Sequence, residues 1–480
     1  MSVSVKKVFV GLLSIVALFL VGLLTTTHVG QDRKMIAGLL KQTSIITTGQ
    51  NLTDKSLTPI SQPTFREPAH LHMSLNTPGQ NLTDKSLSPI KVRLTHINRL
   101  KLFTNTSSGV TGYHEQVIVP TPTLTMAQIL EARTTVVKEV CAREFNNSVK
   151  TRGRGPIFFY SKTARMTCCK APKTGSSFWG TVVLAIESQQ NSDKTFHINR
   201  NSVHGRNEIA VPTFKNVSRN ALSVMVSRDP YTRLYSAFVD KYFLLGQLGR
   251  SLQSALKKGP FRMNGGVCGY DVTFSDFLNH VTDLALKGVE LNEHYMPVVK
   301  LCDPCNLHYD VYSRQESLTK DTKYVLELLK FSEAKKQDIQ TSLKRGLKNT
   351  IYSLVSSYLS DYKKYRTDCP DRVSHFEKVW KTLQVQGYVS TKNDYPRREF
   401  QKMLTFDPDV ITLLIIKEIE RFPLGKEEKM LQRQSAVSIA YQDVGQATIQ
   451  KVQKVFKMDF LLFGYDMTPP DKRPGAVTLS

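Results

Sequence analysis

Two short segments hold residues whose types and spacing suit a phosphate-bearing ligand. The first runs Cys169-Lys-Ala-Pro172-Lys173-Thr174-Gly175-Ser176-Ser177-Phe178-Trp179. An apolar run enters a turn holding Pro172 and Gly175, and Ser176 and Ser177 open a helix that the apolar pattern carries to Ile186. Such a turn aims first-turn N–H groups and the positive helix end at one point. Lys173 adds a full charge, and the two serines add hydroxyl donors. G-x-x-x-x-G-K-[ST] is absent, so this is not a Walker A loop. The second segment runs Arg228-Asp229-Pro230-Tyr231-Thr232-Arg233-Leu234-Tyr235-Ser236 and continues to Asp240-Lys241. It follows an apolar run at 222–226 that reads as a buried strand, which puts Arg228 at a strand's carboxyl end, where α/β sheets bind ligands. Pro230 suits the start of the next helix. Arg233 and Ser236, three apart, are expected to face one way and join Arg228 around a dianionic phosphate. Taken singly, each segment also fits an ordinary capped helix or a solvated Arg–Asp face.

The surrounding elements must present these segments. A helical stripe starts at Met126, and extended stretches are expected at 157–160 and Met166–Cys169. An amphipathic helix is marked by Phe274, Phe277, Leu278, Val281 and Leu284, with Gly288 as its stop; further helices are expected over about 323–359 and 410–421. Strands alternating with helices predict an α/β domain with a mainly parallel sheet flanked by helices.

The two segments together resemble the donor-binding signatures of sulfotransferases, P-K-x-G-[ST]-[ST] for a 5′-phosphosulfate and R-[DE]-P-x-x-R-L-x-S for a 3′-phosphate. Downstream, Leu291-Asn-Glu-His294-Tyr-Met-Pro297 and Leu301-Cys302-Asp-Pro-Cys305-Asn-Leu-His-Tyr309-Asp310 resemble the "NEHW…LCxPCxIxYD" stretch of the HNK-1/chondroitin carbohydrate sulfotransferase family. Glu316-Ser-Leu-Thr-Lys-Asp321 matches that family's "ETLxxD", and Asp459-Phe-Leu-Leu-Phe-Gly-Tyr465 its terminal "DFxLFxY". His294-Tyr295 stands in place of the usual His-Trp. The resemblance covers about 138–321 and the last thirty-odd residues, and leaves about 331–440 as a divergent, Lys-rich helical region within a sulfotransferase domain of 126–470.

That resemblance implies a P-loop-like fold, a type II Golgi membrane protein and 3′-phosphoadenylyl sulfate as donor. Lys173 would act on the bridging oxygen and 5′-phosphate, with Pro172, Thr174, Gly175, Ser176, Ser177 and Phe178 cradling that end. Arg228 and Ser236 would hold the 3′-phosphate with Arg233 in support, inside the segment from Asp229 through Pro230, Tyr231, Thr232, Leu234 and Tyr235. No metal is expected, because the lysine and helix dipole neutralise the leaving group. His294 is the first choice of general base, since its ordinary pKa lies near lumenal pH; Glu293, Asp240 and His280 remain alternatives. The expected acceptor is a glycan hydroxyl, on GalNAc or a uronic acid of a chondroitin- or dermatan-type chain. A heparan-type uronyl sulfotransferase, a P-loop kinase and an inactive lumenal glycan-binding protein are the competing readings, and a homodimer stays open.

Composition bounds the setting. The 480 residues carry 65 Lys and Arg against 41 Asp and Glu, a net +24 that favours a polyanionic partner. Residues 8–24 are apolar apart from Ser14 and follow Lys6 and Lys7, which predicts a signal anchor with 1–7 cytoplasmic and the remainder lumenal. Cleavage as a signal peptide is the rival, disfavoured because Thr25-Thr26-Thr27-His28 lacks small-x-small spacing. Residues 25–125 read as a flexible stem in which the nine residues from Gly49 to Leu57 recur from Gly79 to Leu87. Sequons at Asn51, Asn81, Asn105, Asn146 and Asn216 fit a lumenal body and argue against nucleic acid. Seven cysteines in an oxidising lumen leave at least one unpaired. Cys302-x-x-Cys305 fits no usual zinc spacing and reads as part of a disulfide framework, with each other or with further cysteines.

Overall fold

The computed structural model describes residues 124–144, 153, 155–263, 266–344 and 346–475. The anchor at 8–24, nearly all of the stem and four of the five sequons lie outside the described residues. Among the described residues no helix is long and apolar enough to cross a membrane.

A five-stranded sheet has the order β3-β1-β2-β4-β7, where β1 is Ile157–Ser161, β2 Met166–Cys169, β3 Glu208–Ala210, β4 Leu222–Ser227 and β7 Val311–Arg314. β2, β4 and β7 run parallel, while β1 is antiparallel to both β2 and β3. The expected parallel sheet is therefore mixed. Residues 162–165 alone join β1 to β2, and a four-residue link closes a hairpin but cannot make the crossover that a parallel pair needs. A separate hairpin pairs β5, Pro260–Met263, with β6, Gly266–Tyr270.

Both faces of the main sheet are covered, which is why its strands read as continuous apolar runs. On β4, Val224 and Val226 pack with Met166, Trp179, Val182 and Val311, whereas Met225 faces the cluster of Phe158, Phe214, Leu234 and Tyr309. The helix Met126–Glu144 and the helix Ser176–Glu187 supply apolar stripes to these layers. The helix Phe274–Leu286 forms where expected, capped by Thr273 and Asp276, and Gly288 follows with φ +76°. The helices expected over about 323–359 are Leu318–Leu328, Glu333–Lys344 and Gly346–Tyr365. A second, helical core joins Ile351, Tyr358, Phe376, Trp380, Leu383, Ile411 and Ile415 to Leu244.

Disulfides join Cys141 to Cys305, Cys169 to Cys302 and Cys268 to Cys369. Cys302 and Cys305 are thus paired with distant partners rather than with each other. Cys168 is the unpaired thiol; it is buried, which raises its pKa.

Candidate active site

Each of the three parallel strands delivers a segment to one cavity at its carboxyl end. Lys170 to Phe178 follow β2, Arg228 follows β4 and Gln315 follows β7, around a volume of about 490 Å3. The site thus sits where open α/β sheets place ligands.

The loop after β2 is built around left-handed backbone. Thr174 Oγ1 donates to the Ala171 carbonyl at 2.9 Å and closes the turn; the side chain is buried and faces away from the cavity. Lys173 has φ +70° and Gly175 φ +108°. A β-carbon on Gly175 would lie 3.1 Å from Leu318 Cδ2, so glycine suits both the angle and the approach. Gly175 is also the N-cap of the helix Ser176–Glu187 and has no side chain to offer its first-turn N–H groups. Those donors are left for a ligand. Pro172, Lys173, Gly175, Ser176, Ser177 and Phe178 line the cavity.

The second segment divides by role. Asp229 caps the helix Pro230–Phe238 by accepting from Thr232 N at 2.9 Å and pairs with Arg473 at 2.9 Å; Pro230 takes the first helical position. Tyr231 and Leu234 are core residues, with Tyr231 Oη donating to the Met467 carbonyl. Arg228 donates to the Lys173 carbonyl at 3.0 Å and to Thr232 Oγ1 at 3.2 Å. It faces the cavity with Tyr235 and Ser236. Arg233 does not join them. Its guanidinium is buried and donates to the carbonyls of Pro172, Met296 and Glu293 at 3.0, 2.6 and 3.2 Å. These three bonds pin the β2 loop to the segment holding His294, and Arg233 is not among the residues that line the cavity. Burial lowers its pKa to about 10.

A π-helical turn, Val239–Phe243, follows that helix and turns Asp240 and Lys241 into the site. Asp240 accepts from Lys173 Nζ and from Arg200, and lies 3.2 Å from Lys241 Nζ. Burial opposes its charge, but Arg200, Lys173 and Lys241 outweigh that and hold it well below the usual carboxylate range. Burial lowers Lys173 to about 7, against the pull of Asp240.

His294 lines the cavity and its Nδ1 lies 2.7 Å from Asn292 Oδ1. Because an amide oxygen only accepts, Nδ1 carries the proton and Nε2 keeps its lone pair. Burial, then Lys241 and Lys173, push its pKa down to about 2, so the ring is neutral. Glu293 also lines the cavity, Asp240 is engaged by three cations, and His280 lies on the helix Phe274–Leu286 away from the cavity.

The remaining sequence blocks act as scaffold. Asp459 accepts from Val298 N and Val299 N at 2.7 and 2.9 Å, capping the short helix that follows the His294 segment. Glu316 accepts from Asp229 N at 3.0 Å and from Tyr465 Oη at 3.0 Å, which ties the start of the second segment to the terminal block. Asp321 accepts from Arg133, Ser313 and Ser317 and fastens the end of β7.

Several lining residues had no recognisable signal in the sequence. Arg200 lies on a 3-10 turn outside every motif, and Leu354, Gln386, Tyr388 and Arg433 come from the stretch read as divergent. Only Lys241, adjacent to Asp240 in the quoted segment, was within reach of a spacing argument.

The profile of the sulfotransferase family matches residues 156–369. The match continues past Asp321 into the helical stretch. Carbohydrate sulfotransferase 11 of Danio rerio is 26% identical over 219 residues, covering 42% of this chain and 62% of that protein. Carbohydrate sulfotransferase 14 of Danio rerio is 28% identical over 169 residues, 34% of this chain and 45% of its own length. Carbohydrate sulfotransferase 8 of Mus musculus is 26% identical over 221 residues, 43% and 52% respectively. The chain thus spans about half the length of these relatives. No solved structure matches it. The matched segment carries the β2 loop, the Arg228 segment and the His294 segment, and over these residues the chain is similar to the sulfotransferase family.

Proposed function

We propose that this chain is a carbohydrate sulfotransferase that moves a sulfuryl group from 3′-phosphoadenylyl sulfate to a glycan hydroxyl. The observation that carries the reading is the convergence of Lys173, uncapped first-turn N–H groups, Arg228 and Ser236 on one cavity at the ends of parallel strands. This donor set fits a phosphosulfate at one end and a 3′-phosphate at the other, and Arg433 adds a second guanidinium from the helix Lys426–Gln442.

The donor supplies the sulfuryl group and departs as adenosine 3′,5′-bisphosphate. Lys173 and the first-turn N–H groups neutralise the charge that grows on the bridging oxygen as its bond to sulfur breaks. His294 Nε2 accepts the proton of the glycan hydroxyl while that oxygen bonds to sulfur. Arg228 and Ser236 fix the nucleotide end, so the reacting groups stay in line.

A chondroitin- or dermatan-type chain, sulfated on GalNAc or a uronic acid, is the proposed acceptor: the net +24 favours a polyanion, and the relatives' names support only that it is a carbohydrate. The test combines retention on immobilised adenosine 3′,5′-bisphosphate with labelled-sulfate transfer to desulfated glycosaminoglycans across a salt series. Charge attraction at a surface is screened over about 8 Å at physiological salt, so KM for the polymer should climb with sodium chloride much faster than KM for the donor. A neutral glycan as best substrate, without salt dependence, rejects the polyanion. Absence of both retention and transfer rejects the enzyme.

Golgi residence as a single-pass type II protein belongs to the same proposal. Three disulfides and an exposed Asn216 in an Asn-Val-Ser sequon support folding in an oxidising, glycosylating compartment. The expected full-length chain resists carbonate extraction from microsomes and loses mass on glycosidase treatment. A soluble lumenal product beginning near Thr27 would replace the anchor by a cleaved signal peptide.

A further inference from the structure

The geometry points to Asp240 as a positioning residue that holds Lys173 charged and aimed before the donor binds, then releases it to the donor's bridging oxygen. This rests on the donor reading above. Asp240 stands on the π-helical turn, and its buried carboxylate divides its two oxygens. Oδ2 takes Lys173 Nζ and is 3.2 Å from Lys241 Nζ, while Oδ1 takes Arg200. Three cations therefore meet one carboxylate.

That count matters for the exchange. A buried carboxylate that loses its sole partner is costly to leave behind. When Lys173 turns to the donor, Asp240 keeps Arg200 and Lys241, so the release leaves no orphaned charge. Before the donor binds, Lys173 also needs the carboxylate, because a mostly desolvated ammonium beside two other cations favours the neutral amine. Lys173, already brought to about 7 by burial, would lose its proton more readily without it.

The same carboxylate links the loop to the helical region beyond it. Arg200 Nε donates to Ser357 Oγ at 3.3 Å, and its guanidinium lies 5.1 Å from the centre of the Tyr358 ring. Both belong to the helix Gly346–Tyr365. Asp361, on that helix, faces Lys241 and Arg200, and the neutral His294 faces the cluster from the opposite segment. The chain of contacts Lys173–Asp240–Arg200–Ser357 joins the loop after β2 to a helix that carries none of the quoted motifs.

The test reads Lys173 directly. Its reaction with an amine-directed acylating reagent is followed by peptide mass spectrometry against pH in ligand-free protein, for wild type, Asp240→Asn and Asp240→Glu. Only the free amine reacts, so labelling rises as Lys173 loses its proton. Removing the carboxylate should move that midpoint down by about one pH unit or more, and Asp240→Glu should move it back. Activity follows with the same sign. The charged lysine is needed, so kcat/KM for the donor falls as pH rises through its midpoint, and in Asp240→Asn that limb shifts to lower pH. Binding of adenosine 3′,5′-bisphosphate at pH 6 should stay within a few-fold of wild type.

Superimposable labelling curves and pH profiles for wild type and Asp240→Asn overturn the proposal. So does loss of nucleotide binding at pH 6 in both variants, which marks Asp240 as purely structural. A wild-type protein that neither binds the nucleotide nor transfers sulfate overturns the donor reading, and the hand-over with it; the labelling midpoints would still show whether the ion pair sets the charge of Lys173.

Discussion

Lys173→Ala should lower turnover by about 10²–10³-fold while retention on immobilised adenosine 3′,5′-bisphosphate stays close to wild type. The reason lies in when the lysine is needed. Its ammonium is already paired with Asp240 before the donor binds, so the ground state gains little from it. The bridging oxygen acquires its charge only as the sulfur–oxygen bond breaks, and there a nearby ammonium is strongly favoured. Arg228→Ala should show the opposite division. Its half-buried guanidinium donates to the Lys173 carbonyl and faces the cavity, so its loss should empty the nucleotide column. Measuring kcat and column retention for both variants separates the two roles. Wild-type sulfation in both would reject the donor assignment.

His294→Ala should cost about 10²–10⁴-fold in kcat, the usual worth of a positioned general base, with nucleotide retention preserved. The proton on Nδ1 is fixed by Asn292, which leaves Nε2 as the acceptor. Only the neutral ring can act, and activity would be lost as pH falls through its pKa. Burial and the neighbouring lysines have pushed that value to about 2 in the free protein. The kcat/KM profile should therefore show no acidic limb near the ordinary imidazole value, and should fall only on the alkaline side as Lys173 discharges near 7. In kcat, measured with donor bound, the anionic ligand offsets Lys173 and Lys241 and moves the imidazole value upward. An unchanged kcat in His294→Ala would pass the role to Glu293, the cavity's other candidate from the same segment.

The two strand-to-helix segments that meet at the cavity, the buried strand β4 and the helix Phe274–Leu286 were legible because each is a local matter. Turn residues, caps and apolar spacing act within a dozen positions, and the strand-to-helix loop after Cys169 is specified by its own glycine, proline and serines. Family resemblance then extended the reading to blocks whose work is scaffolding, such as Asp459 and Glu316. Three things were decided only by tertiary structure. The sheet became mixed because a short link forces β1 back against β2, which strand composition alone does not reveal. Arg233 turned inward because three carbonyls from two distant segments surround it, whereas helical spacing had paired it with Ser236. The cavity wall drew Arg200, Tyr388 and Arg433 from stretches without a motif. Spacing along a chain tells which side chains can share a face, but charge pairing and burial depend on what packs opposite. Asp240 therefore looked like one candidate base among several until the fold surrounded it with Lys173, Arg200 and Lys241.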